Sequence, residues 1–196
     1  MKKRPRTIAT KHGHDLALSR RQFLYLGATL TAGLALPGSL RAACTPDDQK
    51  ERRLILLNAH THEELDVCYA RGATYRPEAL DEINKILRDH RTSDIYPIDI
   101  KLLDLLSSIC SQAGKDACLH IVSGYRSPKT NRMLRKRSRR VARNSFHMQG
   151  KAVDIRIPGL STKKLRRIAF GLKQGGVGYY PRSKFVHVDT GPIRAW

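Results

Sequence analysis

The sequence has no apolar run approaching the roughly 20 residues that a membrane-spanning helix needs, so a multi-pass membrane protein is excluded. It has four cysteines but no CxxC pair, which argues against a structural zinc finger. Acidic residues are scarce: 17 Asp+Glu stand against 37 Lys+Arg, a net charge of +20. That imbalance suits an anionic partner such as nucleic acid, a membrane surface or a cell-wall polymer. No internal repeat and no low-complexity linker interrupts the 196 residues, which suffice for one ordinary domain and a short appendage. With 40% hydrophobic residues, the chain has enough apolar material for a packed core.

The appendage is legible at the N-terminus. A basic, polar stretch leads to Ser19-Arg20-Arg21-Gln22-Phe23-Leu24, then to a modestly apolar segment, Leu24–Leu36. Pro37-Gly38 breaks that segment, and Leu40-Arg41-Ala42 offers small residues for cleavage. This is the order of an export signal, and the paired arginines resemble a twin-arginine signal. We therefore expect residues 1–43 to be an export signal, residues 44–196 the functional domain, and the periplasm or cell envelope the destination. The alternative is a basic soluble tail. Cys44 after Ala43 weakly suggests lipidation, although Arg41 fits that poorly. Residues 1–42 hold eight basic side chains and one acid, so 29 basic and 16 acidic residues remain, a net of +13. An exported basic protein meets anionic wall or membrane surfaces; nucleic acid is not expected as a partner, since no aromatic-interleaved binding motif accompanies the charge. An oxidising compartment would permit disulfides, Cys110–Cys118 among them, and the competing reading is that the cysteines are small buried apolar residues.

Along the domain, Leu54–Asn58 and Glu64–Tyr69 read as a hairpin, with His60 and His62 in its turn. That HxH pair could bind metal, but a pair of solvated turn residues fits better, because no third ligand is near in sequence. Helical periodicity covers Arg76–Arg91 and a second helix running from an Asp99 cap to Ala113. Leu119–Ser123 is a short apolar strand. The densely basic Thr130–Arg143 follows, with Arg132, Arg135, Lys136, Arg137, Arg139, Arg140 and Arg143, and reads either as a polyanion-binding face or as a solvated one. Ala152–Ile157 alternates as a strand, Ser161 caps a helix over Thr162–Gln174, and Val177–Tyr180 and Phe185–Val188 close the chain as strands. Helices mixed with short strands give an α+β domain, and we expect a small antiparallel sheet with flanking helices.

The chemistry concentrates in Ser145-Phe146-His147-Met148-Gln149-Gly150-Lys151-Ala152-Val153-Asp154 and in Phe185-Val186-His187-Val188-Asp189. A catalytic zinc keeps three protein ligands and one open position, and His147, Asp154 and His187 would supply such a set. The pattern S-x-H-x-x-G-x-A-x-D followed by a strand bearing H-x-D resembles the D-Ala-D-Ala carboxypeptidase/hedgehog-type zinc peptidases. Ser123-Gly124-Tyr125-Arg126-Ser127 matches their S-G-[YF]-R-[ST] segment. Within that family, the hairpin, the basic insert and Gly191-Pro192-Ile193-Arg194-Ala195-Trp196 resemble the murein endopeptidase group. The resemblance implies the family's zinc fold, Zn2+ on His147, Asp154 and His187, and hydrolysis of peptide cross-links in peptidoglycan, with the L,D type as the expected one. It implies substrate or oxyanion contacts for Arg126 and Ser145.

The sequence departs from that family at one point. A Glu or His two or three residues before the last metal histidine is common there as general base, and Phe185 and Lys184 cannot serve. Asp189 is then the nearest catalytic candidate. It is either the base or a carboxylate that orients His187. The missing base leaves a second reading open, an inactive metal-retaining module that binds peptidoglycan.

Overall fold

The computed structural model describes residues 50–114, 117–139 and 141–196. The export signal, Cys44 and Arg140 of the basic run lie outside the described residues. Eight strands form one sheet: β1 (Glu51–Asn58), β2 (Glu64–Arg71), β3 (Thr74–Tyr75), β4 (Cys118–Ser123), β5 (Ala152–Arg156), β6 (Gly176–Tyr180), β7 (Phe185–Asp189) and β8 (Arg194–Ala195). Four α-helices accompany it: α1 (Pro77–Ile86), α2 (Ile100–Ala113), α3 (Pro128–Arg137) and α4 (Thr162–Gly171). The strand order is β3-β2-β1-β4-β5-β7-β6-β8.

The domain is α+β, but its sheet is neither small nor purely antiparallel. β1 pairs with β4 in parallel, and so does β6 with β8; the other pairings are antiparallel. Strand periodicity specifies a face and not a neighbour, so the parallel pairing across α1 and α2 was not readable locally. β3 and β8 have two residues each and are too short to leave a periodic signal.

Alternation along the strands sorts the two faces. Leu54 and Leu56 of β1, Leu119 and Ile121 of β4, Val153 and Ile155 of β5, and Val186 and Val188 of β7 all enter one core. The helices cover it: α1 against β2, α2 against β1, and α4 against β6 and β7. They contribute Ile83 and Ile86, then Leu102, Leu103, Leu105, Leu106 and Ile109, then Leu165 and Ala169. The residues that alternate with these valines and isoleucines, Asp154 and His187, are therefore on the opposite face. Asp99 caps α2 through Lys101 N–H, and Ser161 caps α4 through Lys164 N–H, as the sequence indicates. The three described cysteines, Cys68, Cys110 and Cys118, are free thiols. Burial pushes the Cys110 thiol up to about 12.

α1 ends at Ile86 and not at Arg91. The Leu87 carbonyl accepts the Tyr125 N–H at 2.7 Å, which ties the helix end to the loop after β4. Gly124 lies so close that a Cβ there would sit 2.3 Å from the Leu87 oxygen. Asp89, 1% exposed, then turns the chain: one carboxylate oxygen accepts the Arg91 N–H and the other the Ser127 N–H, both at 2.9 Å. Burial alone would raise its pKa, but hydrogen bonds, with Thr130 as well as these amides, hold it down at about 2. Ser127 in turn caps α3 through Thr130 N–H. Asp89 thus fixes the loop that carries Arg126.

A carboxyl held at about 2 against an unfolded value of 3.8 contributes stability above pH 4 and loses it as the pH falls towards 2. We expect Asp89→Asn to destabilise the fold by about 2 kcal/mol at pH 7. The gap to wild type should close on acidification from pH 4 to 2, as read by denaturant unfolding at each pH. A gap that does not change with pH would contradict the assignment.

Candidate metal centre

β5 and β7 run antiparallel in a register that places Asp154 directly opposite His187. His147 reaches the same point from a 3-10 turn, Phe146–Gln149, that precedes β5. Gly150 ends that turn in the left-handed region at φ 65°, and a Cβ there would meet the Pro97 oxygen at 2.2 Å. Only glycine allows both. One atom from each of His147, Asp154 and His187 lies within 4.8 Å of the other two, and among the described residues no other group of three His, Cys, Asp or Glu does this.

The geometry also assigns which atoms face inward. His147 Nδ1 donates to the Gly124 carbonyl at 2.8 Å, leaving Nε2 towards the centre. His187 Nε2 donates to Asp189 Oδ2 at 3.0 Å, leaving Nδ1 towards the centre. Those inward nitrogens are 3.2 Å apart, and Asp154 Oδ1 lies 2.9 Å from His187 Nδ1 and 3.3 Å from His147 Nε2. Each imidazole thus spends one ring nitrogen on an outer acceptor and offers the other, as metal-ligating histidines do. A two-nitrogen, one-carboxylate set of this kind fits zinc and leaves room for a further ligand.

The electrostatics follow from burial and pairing. Burial pushes His147 down, against the pull of Asp154. Burial also opposes protonation of His187, but hydrogen bonds to Asp154 and Asp189 prevail and raise it to about 8. Asp154 would be raised by burial, yet the two histidines hold it well below the usual carboxylate range.

Arg126 stands beside this centre, 12% exposed, with a guanidinium nitrogen 3.8 Å from Asp154 Oδ2 and 3.3 Å from the Ser123 hydroxyl. Its backbone N–H donates to the His147 carbonyl, so the Arg126 loop and the His147 turn hold each other. Its Nε is buried without a partner. Ser145, buried and in extended backbone, immediately precedes the turn. Arg126, Ser145, His147, Asp154 and His187 all line one cleft of about 520 Å³. A larger hollow, about 660 Å³, is lined by Arg52, Asp104 and Ser107 among others; it holds no histidine or cysteine, and Asp104 is engaged by Arg52, Tyr69 and Tyr75.

Asp189 does not line the cleft. It is fully buried, and its oxygens receive five donors: His187 Nε2, the N–H groups of Gly176 and Gly191, and both terminal nitrogens of Arg194. Burial would raise its pKa, but these donors hold it at about 2. Of the two roles the sequence left open for it, this geometry has the contacts of the carboxylate that orients His187, not those of a base facing substrate. Arg194, Phe146, Tyr180 and Trp196 also line the cleft. Phe146, Arg194 and Trp196 lie in segments that the sequence analysis named, but it gave none of the four a role in the site.

His60 and His62 stay in the hairpin turn. His60 contacts the Val122 carbonyl and stacks on His90 with ring centroids 3.9 Å apart, and His62 takes φ 58°. The basic run forms α3 and the segment after it. Arg132, Arg135, Lys136, Arg137, Arg139 and Arg143 are exposed, while Ser138, Val141, Ala142 and Asn144 from the same stretch line the cleft.

Known proteins resemble this chain over nearly its whole length. The peptidoglycan L,D-endopeptidase MepK of Escherichia coli strain K12 is 40% identical over 178 residues, 91% of this chain and 97% of its own. The Shigella flexneri protein of the same name matches to the same extent. A probable peptidoglycan L,D-endopeptidase MepK of Haemophilus influenzae is 39% identical over 180 residues, 91% of this chain and 95% of its own. A family model also matches residues 47–196, and on these grounds the chain belongs to the M15-type peptidase family described as peptidoglycan L,D-endopeptidase MepK.

Proposed function

We propose that this protein is a zinc endopeptidase that hydrolyses peptide cross-links of peptidoglycan in the cell envelope. The observation that carries the reading is the convergence of His147 Nε2, Asp154 Oδ1 and His187 Nδ1 in a cleft, inside a chain of this family. Zinc held by those three atoms would polarise the scissile carbonyl and acidify a water. Arg126, buried and beside Asp154, stabilises the negative charge that develops on the carbonyl oxygen. Ser145, which lines the same cleft, contacts the substrate backbone. Asp189, held by Arg194 from behind, keeps the His187 ring oriented with Nδ1 inward. It is a positioning residue, because five donors leave it no free lone pair for a proton from the cleft.

The test is digestion of defined cross-linked muropeptides with and without chelator. His147→Ala, Asp154→Ala and His187→Ala should each abolish stoichiometric zinc and turnover. Arg126→Ala should keep zinc and lose on the order of 10²–10³ in kcat. Asp189→Asn should weaken zinc about 10–100-fold and recover activity when zinc is added in excess. Full zinc occupancy with a large rate loss in Asp189→Asn would restore it as the base. Zinc retained with no turnover by wild type on any cross-link would favour the inactive wall-binding module.

The exposed basic side chains of α3, together with Arg139, adjoin the Ser138–Asn144 segment that lines the cleft, and we assign them to contact with the anionic wall. Neutralising Arg135, Lys136, Arg137 and Arg139 together should weaken binding to intact sacculi, most at low salt, where screening is least. Turnover of small soluble cross-linked peptides should hardly change. Equal losses on both substrates would place the cluster in catalysis or folding.

Export by the twin-arginine machinery rests on Arg20-Arg21 ahead of the apolar Leu24–Leu36. Among the described residues no helix is long and apolar enough to cross a membrane. Replacing both arginines by lysine should leave the precursor in the cytoplasm on cell fractionation; unimpaired export would refute the assignment.

A further inference from the structure

The cleft has a chemically mixed lining: Arg126, Ser145 and Asn144 are polar, and Tyr180, Phe185 and Trp196 are aromatic. Trp196 is in ring contact with the candidate ligand His187. Its ring centroid lies 5.3 Å from that of His187, tilted by 50°. Tyr180 stacks on Phe185 at 4.6 Å and extends the same surface.

Trp196 is held in place from several sides. Its N–H donates to the Val177 carbonyl, and its carbonyl accepts the Tyr179 N–H, which fixes its backbone to β6. Its indole N–H donates to the Tyr180 hydroxyl at 3.0 Å. The Arg194 guanidinium lies 4.9 Å from the ring centroid. On β6, a Cβ at Gly178 would come within 2.8 Å of the indole, so a bare backbone position is needed where the ring rests. Despite these restraints the residue remains 48% exposed. An immobilised, half-exposed indole beside a metal-site histidine is a preformed apolar contact surface, which costs little ordering entropy when a ligand arrives.

We propose that Trp196 is a specificity-determining residue, which receives the hydrocarbon arm of the cross-link next to the scissile amide. This rests on the endopeptidase reading above. A cross-link made through a side-chain amine brings a chain of methylenes to the bond that is cut, whereas an uncross-linked stem presents no acylated arm there. The polar lining residues handle the amide and its carboxylates, and the indole face takes the methylenes. Covering about two methylenes is worth on the order of tenfold in apparent affinity.

The sequence contains a single tryptophan, so intrinsic emission reports this position alone. Stopped-flow emission of the zinc-loaded protein should change on mixing with a cross-linked muropeptide dimer, before turnover, and change much less with the uncross-linked stem. Trp196→Ala should raise KM for the dimer about tenfold, with kcat and bound zinc close to wild type, and Trp196→Phe should recover most of the loss. Unchanged KM in Trp196→Ala would overturn the proposal. So would loss of zinc and a lowered melting temperature in both variants, which would make the residue a prop for His187. Failure of the endopeptidase reading is separable: wild type would then leave the dimer uncut while its emission still responded to it. Cleavage without an emission response, and with normal Trp196→Ala kinetics, would remove the proposal and leave that reading intact.

Discussion

The pairing of Asp154 with His187 across β5 and β7 is the constraint on which the rest of the site depends. Strand register has a period of two, so a slip of one residue would send both side chains into the helical layer and bring valines to the cleft. The alternation of Val153, Ile155, Val186 and Val188 makes that slip costly, because the same four residues fill the core. Apolar burial on one face thereby enforces the geometry of the candidate site on the other. His147 is then the one member of the set that needs a device of its own, the Gly150-terminated turn braced by Gly124 and Arg126.

Around that pair the structure distributes charge so that each group has an opposite. Asp154 faces two imidazoles and Arg126; Asp189 faces the far side of His187 and Arg194. An aspartate buried without such partners would be protonated and useless as an anchor. The series Arg194, Asp189, His187 therefore links a half-buried cation on β8 to the inward nitrogen of a candidate ligand.

The cluster of His147, Asp154 and His187 was legible because its members lie in short local patterns: His147 and Asp154 are joined by a turn and a strand, and His187 sits on an alternating strand. Helix positions were legible for the same reason, from caps at Asp99 and Ser161 and from apolar spacing. What was not legible depends on distant contacts. The end of α1 is set by a hydrogen bond from Tyr125 to Leu87, and nothing in Arg76–Arg91 itself records it. The side of the sheet on which β1 finds β4 is likewise a property of the assembled layers. Asp189 could be assigned to the site face by alternation, but its saturation by Gly176, Gly191 and Arg194 required the fold.

The parallel pairing of β1 with β4 ties the two halves of the domain together at the cleft. β1 reaches β4 only across α1 and α2, a larger loop closure than the β6–β7 hairpin needs. β4 leads into the loop of Gly124 and Arg126, and that loop holds His147 through its Nδ1 and its carbonyl. His147 is therefore braced from the strand that β1 joins, whereas Asp154 and His187 are set by the register of β5 and β7. An ion held by all three would act as a clasp between sequence-distant parts of one sheet.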